Sequence, residues 1–83
     1  MRTMTVRVLL FASYADALGA SEVRLDLPNG ARVRDVLERV LQMAAGKRVP
    51  RQPMIAINQR YAAADQIVAA SDEVAIIPPV AGG

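Results

Sequence analysis

The apolar positions change period several times along the chain, and each change marks an element. "TVRVLLFA", Thr5 to Ala12, opens with polar and apolar residues in alternation and is rich in β-branched and large apolar side chains, which predicts a strand. In "SYADALGA", which follows, Ser13 with Asp16 three residues on resembles a capping pair and Gly19 a stop, so a short helical turn is expected. "EVRLDLPNG" alternates throughout, sending Val23, Leu25 and Leu27 to one face and Glu22, Arg24 and Asp26 to the other. It reads as a strand with one wet face, closed by a Pro-Asn-Gly turn. The short segment between these two strands favours an antiparallel pair.

From Val33 the spacing lengthens. Val33, Val36, Leu37, Val40, Leu41 and Ala44 fall on one stripe of a helix, with Arg32, Arg34, Asp35, Glu38 and Arg39 outside it. Gly46 supplies the stop, while Arg32 stands where a capping Ser, Thr or Asp is expected, and Asp35 in the first turn compensates through the helix dipole. "KRVPRQP", Lys47 to Pro53, reads as a loop because two prolines in four residues forbid regular structure. "MIAIN", Met54 to Asn58, is expected to be a strand turning at Gln59 and Arg60, with Asn58 fixing the turn. In "YAAADQIVAASDE" the expectation is a short strand at Tyr61 to Ala63, then a turn of helix before a turn at Ser71, Asp72 and Glu73. "VAIIPPV" closes the pattern as a strand that Pro78 and Pro79 end.

The order is thus strand, strand, helix, strand, short strand, strand. It predicts an α+β fold: a small sheet with one main helix packed across one face, and the first and last strands side by side at its centre. The length of 83 residues allows one core and no second domain. Hydrophobic residues make up 53% but aromatics only 4%, so that core must be built from Val, Leu, Ile, Ala and Met.

Composition then narrows the chemistry. There is no Cys and no His, which removes disulfides, thiol catalysis, Cys/His zinc sites and imidazole base catalysis. Ser13, Ser21 and Ser71 have no histidine to activate them. Asp72 and Glu73 are adjacent and point opposite ways if extended, so a turn is a better reading than an acid/base pair. Gly30 and Gly46 stand alone and form no phosphate loop. The net charge of +2 is scattered; the densest basic stretch, Lys47, Arg48 and Arg51, lacks interleaved aromatics and reads as a solvated loop rather than a nucleic-acid surface. The apolar run near the start is interrupted by Thr5 and Arg7 and is too short to span a bilayer, so no membrane association and a cytoplasmic location are expected.

Two features remain. Leu9 and Phe11 fall on the strand face opposite Val8 and Leu10, and Ile77 lies opposite Ile76, so apolar residues occupy both sides of the central pair. That pattern fits either strands buried on both faces or a surface that meets a partner. The chain also ends "PPVAGG", and two terminal glycines arise by chance in only about 0.5% of chains at average composition. The prolines stiffen the exit from the last strand, and Gly82 and Gly83 carry no side chain to obstruct entry into a narrow cleft. Six residues from Pro78 reach roughly 20 Å when extended, enough to present the terminal carboxylate inside another protein. A frayed terminus is the plainer alternative.

"VRVLLFA", "AIN" at Ala56 to Asn58 and above all "SDEVAIIPPVAGG" together resemble the small subunit of molybdopterin synthase, the MoaD family of ubiquitin-like sulfur carriers. The resemblance runs over nearly the whole chain and implies a β-grasp fold: one ubiquitin-like domain over residues 1–83, with a flexible tail at 78–83. It implies that the carboxylate of Gly83 is adenylated by an activating enzyme using ATP and magnesium, converted to a thiocarboxylate by a sulfur donor, and inserted into the large synthase subunit. There its sulfur would pass to a cyclic pterin phosphate to build a dithiolene. Pro78, Pro79, Val80, Ala81 and Gly82 match the inserted tail; Phe11, Tyr61 and Ile77 match apolar positions that look toward the partner.

The resemblance also implies a heterotetramer with the large subunit, no cofactor bound by the chain itself and no catalysis by the chain alone. The sequence departs from the family pattern at Ser71, where Gly is common, at Arg32, where Thr is usual, and at residues 14–17, which lack Arg-Glu. Other readings are a sulfur carrier for thiamine or cysteine synthesis, a modifier ligated to target lysines through Gly83, and an interaction module with an incidental Gly-Gly end. The double proline favours the first reading over the thiamine and cysteine carriers.

Overall fold

The computed structural model describes residues 2–79; Val80, Ala81, Gly82 and Gly83, expected to form most of the tail, lie outside the described residues. The elements are β1 (Thr3–Leu10), α1 (Ser13–Leu18), β2 (Glu22–Pro28), α2 (Val33–Met43), β3 (Met54–Ile57), β4 (Arg60–Tyr61) and β5 (Glu73–Ile77). The strands form one mixed sheet in the order β2-β1-β5-β3-β4. β1 and β5 are parallel neighbours at the centre, and the other pairings are antiparallel. The α+β architecture and the central pair therefore match the pattern of the sequence.

Alternation along the strands builds the core. Met4, Val6, Val8 and Leu10 of β1, Leu25 and Leu27 of β2, Ile55 and Ile57 of β3, and Val74 and Ile76 of β5 are all buried. Opposite them lies the α2 stripe of Val33, Val36 and Val40, with Tyr14, Ala31 and Val68 closing the ends. Sheet period and helix period thus converge on one apolar layer.

Three local expectations are corrected. Ser13 does not cap α1: it is the first helical residue, Ala12 occupies the cap position at φ 52°, and no side chain caps the helix. Gly19 does end it, in the left-handed region with its N–H donating to Ala15 O at 2.8 Å. The turn after β3 uses Asn58 and Gln59, at φ 51° and 71°, so it begins one residue earlier than expected. Arg60 and Tyr61 then form the short β4.

The third correction concerns the segment after β4: the strand stops at Tyr61 instead of running to Ala63, and no helix forms between Ala63 and Ser71. Its backbone is engaged elsewhere: Val33 N–H donates to Gln66 O at 2.9 Å, Arg34 N–H to Ala64 O at 2.9 Å, and Val68 N–H to Ala31 O at 2.9 Å. This segment satisfies the first amides of α2, which explains how a helix can begin after Arg32 without a side-chain acceptor there. Asp35 completes the start by accepting a 2.8 Å hydrogen bond from Arg32 N–H, a direct bond added to the dipole effect expected of it.

Candidate functional site

α2 covers one face of the sheet, and the residues of the other face divide by chemistry. Toward β2 the outward positions are polar: Thr5 donates to Asp26 at 2.8 Å, and Arg7 pairs with Glu22 at 2.8 Å and Glu73 at 3.4 Å. The Glu22 hydrogen bond, then its charge, raises Arg7 above the ordinary guanidinium value. Such exposed pairs add little to stability, but they fix the side chains as a solvated polar corner.

Toward β3 and β4 the same face is apolar. Register places Leu9 beside Ala75, Ala75 beside Ala56, and Ala56 beside Tyr61; the next row sets Ile77 beside Met54. The two alanines sit between larger side chains, so the row forms a shallow groove of about 440 Å³ lined by Leu9, Phe11, Ala56, Ala75, Ile77 and Tyr61, with Gln59 and Glu73 at its rim. Phe11 is 46% exposed and Tyr61 73% exposed, which is unusual for aromatic side chains unless another surface meets them.

All three residues expected at a partner surface, Phe11, Tyr61 and Ile77, therefore line one groove. Leu9, already visible in the alternation, joins them. Ala56 and Ala75 were not singled out; their signal was small apolar residues at outward strand positions, legible only once the strand neighbours are known. Tyr61 and Met54 also border a second apolar groove of about 320 Å³ between α2 and the β3–β4 edge.

The groove is placed by β5, whose last residue, Ile77, lines it. Pro78 is buried and Pro79 is exposed, so the chain emerges from the domain between them, one residue later than a tail starting at Pro78 implies. The apolar face and the exit of the chain are thus adjacent.

A five-stranded mixed sheet with a parallel central pair, crossed on one face by a helix, defines a ubiquitin-like β-grasp domain. Its backbone superposes on the crystal structure of the H. volcanii small archaeal modifier protein 1 with a TM-score of 0.78 and 27% identity, covering 93% of this chain and 99% of that one. The chain belongs to the ThiS family, whose model matches residues 8–83. It is 34% identical to the molybdopterin synthase sulfur carrier subunit of Arabidopsis thaliana over 98% of this chain and 85% of that protein. It is equally 34% identical to the protein of that name from Chlamydomonas reinhardtii, over 96% of this chain and 100% of that one. The resemblance drawn from the sequence is borne out.

Proposed function

We propose that this chain is the sulfur-carrier subunit of a molybdopterin synthase, working through the carboxylate of Gly83. The carboxylate oxygen attacks the α-phosphate of ATP held with magnesium by an activating enzyme, and pyrophosphate leaves. A donor of sulfide-level sulfur then attacks the acyl carbon of the adenylate and AMP leaves, giving a thiocarboxylate. The tail from Pro79 to Gly83 enters the large subunit, the sulfur passes to a cyclic pterin phosphate, and the Gly83 acyl group takes up water and returns to the carboxylate. The chain supplies no acid, base or metal to these steps; it presents a backbone carboxylate and docks the enzymes that act on it, in the cytoplasm.

The observation that carries this reading is the continuity of the apolar groove with the end of β5. A partner that grips Leu9, Phe11, Tyr61 and Ile77 is thereby aligned with the chain leaving the sheet at Pro79. Binding energy gathered on a rigid sheet is spent on orienting a segment that has no side-chain chemistry of its own. The names of the curated relatives support the same assignment. Likeness to an archaeal modifier protein favours a second reading, ligation through Gly83 to lysines.

Intact mass separates the two. After incubation with the activating enzyme, ATP, magnesium and a sulfur donor, the protein is expected to gain about 16 Da, one oxygen exchanged for sulfur at the acyl carbon. An unchanged mass would falsify the carrier assignment, and a ladder of larger conjugates would establish the modifier.

A further inference from the structure

The sheet edge at β2, farthest from the groove, carries information that sulfur transfer does not use. Leu10 N–H donates to Ser21 O at 2.9 Å and Asn29 N–H to Arg2 O at 3.2 Å. Bonded and non-bonded pairs alternate along an antiparallel ladder, so these contacts fix the phase of β2. Val23, Leu25 and Leu27 direct their amides and carbonyls toward β1, and Glu22, Arg24 and Asp26 direct theirs outward. β2 ends the strand order, so these outward groups have no strand partner among the described residues.

We infer that this edge pairs with the same edge of a second copy, in an antiparallel dimer whose two-fold axis passes through Leu25. Leu25 is the midpoint of Glu22–Pro28, so the register that overlaps the two strands end to end sets Arg24 opposite Asp26 of the other copy, twice. Both residues belong to the outward set, so they can exchange backbone hydrogen bonds while their side chains form ion pairs. Neither charge is strongly paired within the chain: Asp26 accepts from the Thr5 hydroxyl at 2.8 Å but has no cation partner among the described residues, and Arg24 reaches only Glu22, at 3.8 Å. A register centred on Arg24 sets Arg24 against Arg24 and Glu22 against Asp26. A register centred on Val23 overlaps only Glu22 to Arg24. Length, hydrogen-bond phase and charge therefore select the same alignment.

The dimer continues the sheet across the axis and leaves the β5 exit and the apolar groove free, so it is independent of the carrier reading. One seven-residue strand pair is a small contact beside a standard stable interface, so a weak dimer with a dissociation constant on the order of 10⁻⁴ M is expected.

Sedimentation equilibrium of the full chain between about 10 μM and about 1 mM at low salt tests this. The protein is expected to pass from monomer to dimer over that range. Arg24→Asp and Asp26→Arg, each folded by circular dichroism, should each remain monomeric because like charges then face across the axis. An equimolar mixture of the two should associate, as should the double variant Arg24→Asp/Asp26→Arg, since both restore opposite charges at the same positions. A monomer at every concentration, or dimerisation that the single substitutions leave unchanged, would overturn the inference.

Discussion

Asn58 turns the chain after β3 at φ 51°, and its side chain does more than tolerate that angle. Its amide donates to Asp72 at 2.9 Å and its oxygen accepts from Glu73 N–H at 3.0 Å, so one residue ties the β3–β4 turn to the start of β5. A turn role was readable from the sequence; the two partners, far along the chain, were not. Tyr14 is a second case. It is fully buried, its hydroxyl donates to Pro50 O, and burial raises the phenol above its ordinary 10.0, opposed by the charge of Arg51.

Because the folded state holds this proton more tightly, the contribution of Tyr14 to stability is complete below about pH 10. It is lost as pH rises from there through the raised folded-state value. The urea midpoint of the wild-type protein is expected to fall over this range more steeply than that of Tyr14→Phe. Parallel pH profiles for the two proteins would refute the assignment.

At the scale of the element, β5 shows how one residue step changes a side chain's task. Ile76 is fully buried under α2, and Ile77 points the other way into the groove. Ile76→Ala is expected to destabilise the protein by about 2–5 kcal/mol in urea unfolding, because it opens a cavity in a packed core. Ile77→Ala should cost only a fraction of that; equal losses would mean that both faces are core. The start of α2 at Val33 was legible because six apolar residues share one stripe; its end was placed late, since the helix stops at Met43 with Ala44 as cap, ahead of Gly46. The segment after β4 was not legible: a local reading favours a strand at Tyr61 to Ala63 and a turn of helix between Ala63 and Ser71, but capping α2 claims the carbonyls of Ala64 and Gln66, and tertiary hydrogen bonding outweighs local propensity.

Across the whole molecule, strand order turns scattered apolar residues into a surface. Phe11, Tyr61 and Ile77 are separated by up to 66 positions, yet they line one groove because β5 lies between β1 and β3, and β4 flanks β3. Phe11→Asp places a charge in that groove without touching the core. It is expected to weaken binding to the large synthase subunit by more than tenfold, about 1.4 kcal/mol or more, with unfolding unchanged. Calorimetric titration against the large subunit measures this; wild-type affinity in the variant would remove the groove from the interface.

The sequence by itself determined the periods, and through them the long strands, the main helix and the aliphatic faces that form the core, since each depends on side chains a few residues apart; the burial of Tyr14 in a core expected to hold only Val, Leu, Ile, Ala and Met was not among them. Tertiary structure alone decided which outward residues become neighbours, what caps α2, and that the apolar half of the open face borders the exit of the chain. Those outcomes depend on pairing between distant strands, where register rather than local spacing sets the contacts.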